Sequence, residues 1–257
     1  MRPRGQAPRQ APTGDMAIPQ IFLDTASLDE CVELSKWGLA DGVTTNQKIF
    51  LSEGGVDFKK RVMDICRVVN GPVSVETTTK TEDELLAEAR EYASWHKRVV
   101  VKVAMTADGM GLKVVHQLSK EGIRTNMTLM MTYNQLIMAA KAGASYVSLF
   151  YNRAKEAGED PLKIISDYVA TAKESGLKAR IIVGSIRTPE DVASAFAAGA
   201  HIVTIPTKIL RQMPFNKRTE ETREEFDKAW QEFLAIHGGG ASVGVAARQR
   251  RGARKER

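Results

Sequence analysis

The sequence predicts an α/β protein: a closed parallel (β/α)8 barrel, or TIM barrel, with an additional helix at its C-terminal end. Three observations predict it. Eight short apolar runs alternate with amphipathic helical stretches, the pattern of repeated strand–helix units. Gly122, Gly143, Gly176 and Gly199 follow predicted helices, where glycine commonly ends a helix. The first run, QIFLD, is not followed by the glycine-rich phosphate loop typical of the alternative fold, a doubly wound open sheet.

The predicted strands follow one another along the chain, each before a predicted helix. The strands are QIFLD (20–24), GVTTN (42–46), PVSVE (72–76), RVVVKVA (98–104), IRTNM (123–127), YVSLF (146–150), ARIIVG (179–184) and HIVTIP (201–206). In the same order, the predicted helices begin at residues 27, 57 and 81, after residue 107, and at residues 134, 160, 188 and 207. An extra helix at 217–236 carries Phe226, Trp230 and Phe233 on one stripe. No ninth strand follows it, so we expect this stripe to pack on another surface, such as a neighbouring subunit.

Composition and charge divide the chain into a folded part and two tails. With 257 residues, 43% of them hydrophobic, the chain can bury a sizeable core. Residues 1–16 and 238–257 are rich in Gly, Pro, Ala and Arg, which predicts a disordered N-terminal extension and a disordered basic tail. The tails hold the excess positive charge, so the barrel region 17–237 is near neutral. We therefore expect no nucleic-acid partner, with an RNA-binding tail as the alternative.

The sequence also favours a cytoplasmic protein without a membrane partner. No apolar run approaches the roughly 20 residues that a membrane helix needs, and the N-terminus lacks the apolar core of a secretory signal. Cys31 and Cys66 fall in predicted helices and form neither a disulfide nor a metal-ligand pattern. We expect no metal site.

Polar or ionisable residues stand at the carboxyl end of nearly every predicted strand. Chemistry in a parallel barrel gathers at these ends. The residues are Asp24, Thr44, Asn46, Glu76, Lys102, Asn126, Thr128, Ser148, Ser185 and Arg187. Turn preferences explain some of the Asp and Asn residues, but not Lys102 within VVVKV or Glu76 within VSVE. Burial of an unpaired ammonium is costly, so we expect the two charges to support one another at a functional site.

These residue types fit covalent carbonyl chemistry. An amine surrounded by valines is more readily neutral than one in water, and a neutral amine can attack a carbonyl to form a Schiff base. Asp24 and Glu76 supply two carboxylates for proton transfer. Asn46, Asn126 and Ser148 are candidates to hold sugar hydroxyls. Arg153, Ser185 and Arg187 are candidates for a terminal phosphate, with surface ion pairing as the alternative for each arginine.

Six segments in order resemble the transaldolase family, in particular its short-chain members, which also include the fructose 6-phosphate aldolases. The segments are FLDTAS, GVTTN, VVVKVAMTADG, TNMTL, VSLFYNR and GSIRTPEDV, and the similarity covers about residues 20–236. The resemblance implies a (β/α)8 barrel with a Schiff-base lysine on its fourth strand and no metal or cofactor. It also implies sugar phosphate substrates and a homo-oligomer, a pentamer or decamer, in which the last helix pairs across subunits.

The resemblance also assigns roles to residues. Lys102 matches the Schiff-base lysine, Asp24 the aspartate that serves the C4 hydroxyl, and Glu76 with Thr128 the pair that holds the catalytic water. The sugar-site matches are Thr44, Asn46, Asn126 and Ser148, and the phosphate-site matches are Arg153, Ser185 and Arg187.

Two positions separate the branches of the family. The aldolase branch has glutamine at the position of Glu76 and tyrosine at that of Phe150, so this chain resembles a transaldolase. The usual TNPS is TNQK here, which brings Lys48 near the substrate end. We expect transfer of a dihydroxyacetone unit from fructose 6-phosphate or sedoheptulose 7-phosphate to an aldose phosphate. The alternatives are an aldolase that releases free dihydroxyacetone, a transaldolase for an unusual acidic sugar, or a sugar-phosphate-binding pseudoenzyme.

Overall fold

The computed structural model describes residues 18–78 and 81–236. The predicted extension 1–16 and basic tail 238–257 lie outside these residues and stay predictions. The chain divides into two compact units, a barrel unit that ends at Arg211 and a C-terminal unit that begins at Gln212.

The barrel unit contains eight parallel strands in a closed ring. The strands are β1 (Gln20–Asp24), β2 (Gly42–Thr44), β3 (Val73–Glu76), β4 (Val99–Ala104), β5 (Thr125–Met130), β6 (Tyr146–Phe150), β7 (Arg180–Gly184) and β8 (Ile202–Pro206). Each strand pairs with the next, and β8 pairs with β1 to close the barrel. The predicted (β/α)8 barrel is therefore confirmed.

Helices follow each strand along the chain. They are α1 (Leu28–Ser35), α2 (Gln47–Ser52), α3 (Phe58–Val68), α4 (Glu82–Trp95), α5 (Met110–Lys120), α6 (Tyr133–Ala142), α7 (Tyr151–Glu156), α8 (Pro161–Ser175), α9 (Pro189–Ala197), α10 (Thr207–Leu210) and α11 (Lys217–Ile236). The sequence pattern does not predict the short helices α2 and α7, which precede the main helices of their units. Gly122, Gly143, Gly176 and Gly199 have positive φ angles, as the predicted helix ends require.

Alternation along the strands places a polar layer above an apolar one. Phe22, Ile182 and Ile202 form a buried cluster inside the ring. Two residues further along β1 and β8, Asp24 and Thr204 face the same side, because side chains in a strand alternate between its faces. The polar layer therefore lies toward the carboxyl ends of the strands.

Strand β5 extends further than its predicted span of 123–127. It runs over Thr125–Met130, and its pairing with β6 shifts register between Met127 and Met130. Leu129 within this bulge has a φ of 60°, a left-handed conformation that is uncommon for leucine. The extra residue of a bulge depends on the partner strand, so the local pattern does not reveal where this strand ends.

The C-terminal unit consists of α11 and its flanking residues. No residue of α11 is buried, and Phe226, Trp230 and Phe233 are 71%, 49% and 43% exposed. The rings of Trp230 and Phe233 stack with centroids 5.3 Å apart. The predicted additional helix with its aromatic stripe is therefore present. Within the described ranges, no helix is long and apolar enough to span a bilayer.

Candidate active site

Lys102 of β4 is paired with Glu76 of β3. The parallel register places the two residues side by side, and Lys102 Nζ lies 2.9 Å from Glu76 Oε2. The same Nζ donates a 2.9 Å hydrogen bond to the carbonyl oxygen of Thr45. The two side chains are only 6% and 13% exposed. A buried charge with both a counter-ion and a hydrogen-bond acceptor costs far less than an unpaired one, which explains how a lysine is kept among valines.

Asp24 ends β1 and faces the same cavity. Its Oδ1 accepts a 2.8 Å hydrogen bond from Thr44 Oγ1. Burial raises the pKa of Asp24, and the nearby charge of Glu76 adds to this effect, while the charge of Lys102 and the hydrogen bond from Thr44 oppose it. A carboxyl group with a raised pKa holds a proton more readily than one in water, which suits a residue that accepts and returns protons.

Asn126 and Ser148 form a buried chain of hydrogen bonds across three strands. Ser148 Oγ donates to Asn126 Oδ1 over 2.7 Å, and Asn126 Nδ2 donates to Ser74 Oγ over 3.2 Å. Asn126 is fully buried, so its amide is held in one orientation by these bonds. Ser148 is therefore the member of the chain that reaches the cavity.

Thr128 lies on the β5 bulge and faces the cavity. Its Oγ1 is buried without a hydrogen-bond partner among the described residues. A buried hydroxyl is normally hydrogen-bonded, so this oxygen is available to a water molecule or a substrate hydroxyl.

Asn46 and Lys48 belong to the loop and helix that follow β2. Asn46 caps α2, because its Oδ1 accepts a hydrogen bond from the Ile49 amide over 3.0 Å, and it also lines the cavity. Lys48 is exposed and is absent from the residues that line this cavity. Its position therefore favours a solvated Lys48 side chain over one that contacts the substrate.

The opposite rim of the cavity carries Phe150, Arg153 and Ser185. The guanidinium of Arg153 lies 5.5 Å from the ring centroid of Phe150, within the range of a cation–π contact. Ser185 has a φ of 59°, so the chain turns sharply directly after β7, at a residue that lines the cavity.

Arg187 lies away from this rim. Its guanidinium pairs with Glu156 Oε1 at 2.6 Å, and both side chains are more than half exposed. Its backbone amide donates to Asp191 Oδ2 over 3.0 Å. The structure therefore shows the surface ion pair that was the alternative for this arginine, close in sequence to Ser185 but outside the cavity lining.

A cavity of about 180 Å³ collects most of the predicted residues. Its lining residues are Asp24, Thr44, Asn46, Lys102, Thr128, Ser148, Phe150, Arg153, Gly184, Ser185 and Thr204. Three predicted residues stand outside this lining. Glu76 reaches the site through Lys102, Asn126 supports Ser148, and Arg187 is directed toward Glu156.

Thr204 and Ser74 take part in the site although the sequence reasoning missed them. Thr204 lines the cavity and its hydroxyl contacts that of Thr44. The other residues were identified as polar side chains near the carboxyl end of a predicted strand. The same criterion would have identified Thr204 within HIVTIP. Ser74 gives no such signal, because it lies in the middle of VSVE.

In the described part of the chain, no group of three or more His, Cys, Asp and Glu side chains is placed to hold a metal ion. The arrangement instead offers an amine, a carboxylate, several hydroxyls and a guanidinium around one cavity, with a second carboxylate, that of Glu76, in contact with the amine. Fold and cavity together define a barrel protein whose polar chemistry lies at the carboxyl ends of its strands.

The comparison with known proteins narrows this class. Residues 21–238 match the sequence model of the transaldolase/fructose-6-phosphate aldolase family, and the chain belongs to this family of aldolase-type enzymes. It is 42% identical over 214 residues to a probable transaldolase of Streptococcus equi subsp. zooepidemicus (strain MGCS10565), covering 83% of this chain and 99% of that one. It is 43% identical over 211 residues to a probable transaldolase of Thermoanaerobacter sp. (strain X514), and this match covers 82% of this chain and 96% of that one.

Proposed function

We propose that this protein is a transaldolase. It transfers a dihydroxyacetone unit from a ketose phosphate, fructose 6-phosphate or sedoheptulose 7-phosphate, to an aldose phosphate through a Schiff base on Lys102. We further propose that it acts in the cytoplasm as a homo-oligomer, without a cofactor or a nucleic-acid partner. The observation that carries the proposal is that Lys102 and Asp24 line one polar cavity, while Lys102 is paired with Glu76 behind it.

Lys102 and Glu76 would act together in forming the Schiff base. At 2.9 Å, the Glu76 carboxylate is within reach to accept a proton from the lysine ammonium, which leaves a neutral amine to attack the C2 carbonyl. The resulting carbinolamine loses water when its hydroxyl is protonated, and Glu76 can return its proton through a bridging water. The hydroxyl of Thr128, which has no hydrogen-bond partner in residues 18–78 and 81–236, supports this step, because it offers that water a second contact.

Asp24 would drive cleavage of the C3–C4 bond. It accepts the proton of the C4 hydroxyl as the bond breaks, and the protonated Schiff base takes up the electrons. An aldose phosphate then leaves, and the retained three-carbon unit attacks a new aldehyde in the reverse sequence. The raised pKa of Asp24 favours proton acceptance, since a stronger base takes a proton more readily.

The rim around Arg153 would hold the phosphate. Arg153 and Ser185 both line the cavity, and a guanidinium with a hydroxyl is a common pair of phosphate ligands. The distal phosphate of the ketose would then lie at this rim, with its C2 carbonyl near Lys102.

Borohydride trapping tests the proposed chemistry. Incubation with fructose 6-phosphate and borohydride should attach one reduced three-carbon unit to Lys102, located by peptide mass spectrometry. A Lys102→Met variant should remain folded by circular dichroism and form no adduct. Binding of fructose 6-phosphate without any adduct would identify a sugar-phosphate-binding pseudoenzyme instead.

A fructose 6-phosphate aldolase is the second candidate, because the matched family includes that activity. It would release free dihydroxyacetone, whereas a transaldolase keeps the unit until an acceptor arrives. Product analysis with and without erythrose 4-phosphate separates them, since a transaldolase should turn over slowly without the acceptor. The same assay with acidic sugars tests the alternative of an unusual substrate.

Glu76 and Phe150 are the residues that favour transfer. A glutamine at position 76 keeps a hydrogen bond to Lys102 but moves no proton. We expect Glu76→Gln to lower the transfer rate by roughly 10²- to 10⁴-fold, the usual contribution of a general acid or base. Addition of Phe150→Tyr should introduce acceptor-independent release of dihydroxyacetone, which the wild type performs only slowly. A double variant that releases dihydroxyacetone no faster than Glu76→Gln alone would contradict this view of the two positions.

A further inference from the structure

The hydroxyl of Thr44 lies between two other oxygens. Asp24 Oδ1 is 2.8 Å from it and Thr204 Oγ1 is 2.5 Å from it. The three side chains come from neighbouring strands, with Asp24 on β1 between Thr44 on β2 and Thr204 on β8. Thr44 and Thr204 are only 3% and 6% exposed, so the three oxygens form a chain with little access to bulk water.

The direction of this chain depends on the protonation state of Asp24. A hydroxyl has a single proton, so Thr44 can donate only one of its two hydrogen bonds. When Asp24 is ionised, Thr44 must donate to it, and Thr204 must then donate to Thr44. When Asp24 carries a proton it can donate to Thr44, whose own proton then turns to Thr204.

Packing holds Thr204 in the orientation that the chain needs. A Cβ atom at Gly184 would lie 3.2 Å from Cγ2 of Thr204, so the threonine methyl group occupies space that glycine leaves open. A β-branched side chain is stiff at χ1. Placement of the methyl group against Gly184 therefore leaves the hydroxyl directed at Thr44.

We propose that Thr204 is a positioning residue of the reaction: its hydroxyl proton turns Thr44 toward Asp24 and so holds the ionised carboxylate ready to accept a proton. The inference rests on the function proposed above only in giving Asp24 the role of acid and base. Hydrogen bonds to ionised groups are roughly twice as strong as neutral ones. The Thr44–Asp24 bond is of this kind, and a hydrogen bond donated by Thr204 polarises the Thr44 hydroxyl and strengthens it. Loss of the Thr204 hydroxyl therefore weakens the ionised chain more than the neutral one.

A matched pair of variants separates this role from packing. Thr204→Val keeps the methyl group and removes the hydroxyl, whereas Thr204→Ser keeps the hydroxyl and removes the methyl group. In Thr204→Val we expect the acidic limb of the pH profile of kcat/KM to shift to higher pH by about half to one unit. At a fixed pH on that limb, this shift is a roughly three- to ten-fold loss of kcat/KM. KM should change little. Thr204→Ser keeps the hydroxyl but loses the methyl group that orients it, so its profile should lie between that of the wild type and that of Thr204→Val.

An NMR titration provides a readout that needs no turnover. With ¹³C-labelled full-length protein, the Asp24 carboxyl resonance is identified by its loss in Asp24→Asn. The pKa of Asp24 should be higher in Thr204→Val than in the wild type and in Thr204→Ser. Equal titrations in all three proteins, or a larger effect in Thr204→Ser than in Thr204→Val, would overturn the proposal, because packing alone would then explain the contact.

The two hypotheses fail in different ways. If the wild-type protein forms no borohydride adduct on Lys102, the Schiff-base function is refuted, while the titration still tests the hydrogen-bond chain. If the adduct forms and the Asp24 titration is the same with valine or threonine at position 204, the chain is refuted and the proposed function stands.

Discussion

Lys102 and Asp24 share one cavity, but their charges are stabilised by different neighbours. Lys102 has a carboxylate in direct contact. The carboxylate of Asp24 accepts a hydrogen bond from the Thr44 hydroxyl. Burial nevertheless raises the pKa of Asp24. The lysine is therefore compensated at close range, whereas the aspartate is less stable as an ion than it would be in water.

Asp24→Asn should stabilise the fold while it abolishes activity. The pKa of Asp24 is raised above its usual 3.8, so between the unfolded and the folded pKa the folded state binds more protons than the unfolded state. The free energy of unfolding therefore falls as pH rises through this range. Removing the charge should raise the free energy of unfolding at neutral pH by about 0.5–2 kcal/mol, with little change below the unfolded pKa. Urea unfolding at several pH values measures this difference.

The exposed Asp29, in the first turn of α1, supplies a control. Asp29→Asn should cost about 0.3–1 kcal/mol through the lost interaction with the helix N-terminus. An Asp24→Asn variant less stable than the wild type at neutral pH would contradict the assignment of Asp24 as a destabilised ion.

At the scale of elements, the segment between β7 and α9 is organised by Asp191. Its Oδ2 accepts hydrogen bonds from Asn152 Nδ2 over 2.7 Å and from the amides of Arg187 and Thr188 over 3.0 and 3.1 Å. Burial raises the pKa of Asp191, but these hydrogen bonds and the charge of Lys155 outweigh it, so the pKa is lowered. One carboxylate thus ties α7, the turn after β7 and the start of α9 together.

Asp191→Asn should destabilise the protein by about 1.5–3 kcal/mol near neutral pH, the usual worth of hydrogen bonds to a charged group. A lowered carboxyl pKa contributes stability above the unfolded value of 3.8 that is lost as pH falls through the folded value. The gap between variant and wild type should therefore shrink in acid. Asp167→Asn, which breaks an exposed pair with Lys163 on α8, should cost only a few tenths of a kcal/mol.

The ion pair between Arg187 and Glu156 predicts competition with substrate. If Arg187 turns toward a bound phosphate, it must leave Glu156 first, and an exposed pair of this kind is worth about 0.2–1 kcal/mol. Glu156→Gln should therefore lower KM for fructose 6-phosphate by about 1.5- to 5-fold with kcat unchanged. Glu159→Gln removes an equal charge three residues away and serves as the control; equal KM values in both variants would show that Arg187 does not bind phosphate.

At the scale of the whole molecule, α11 presents apolar surface. Phe226, Trp230 and Ile236 are all about half exposed or more, on a helix that otherwise carries many charges. Contiguous exposed apolar surface commonly marks a protein–protein interface. This agrees with the expected pairing of the last helix between subunits, which stays a prediction.

Light scattering of the full-length protein tests the predicted pairing of α11 between subunits. We expect a mass of five or ten subunits for the wild type and a much smaller mass for a Phe226→Ser, Trp230→Ser double variant, because aromatic residues often carry much of the binding energy of an interface. The double variant should retain the circular dichroism of the folded barrel. A monomeric wild-type protein would contradict the predicted pairing through α11.

The alternation of strands and helices, the polar strand ends and the motif order are local properties, and they sufficed for the barrel, the family and most of the cavity. The conflict between Lys102 and its valine neighbours was also visible in the sequence and pointed to a partner. Periodicity missed α2 and α7, since a single helical turn or two carries little periodic signal.

Sequence alone thus determined the order of the eight units and which side chains reach the carboxyl ends of the strands, because periodicity and turn chemistry act over a few residues. Which of these side chains contact one another follows from the tertiary fold. Strand register placed Glu76 beside Lys102, the fold left the Thr128 hydroxyl buried without a hydrogen-bond partner among the described residues, and helix α7 brought Glu156 to Arg187. Such contacts join residues far apart in the chain, so they depend on how the whole ring closes.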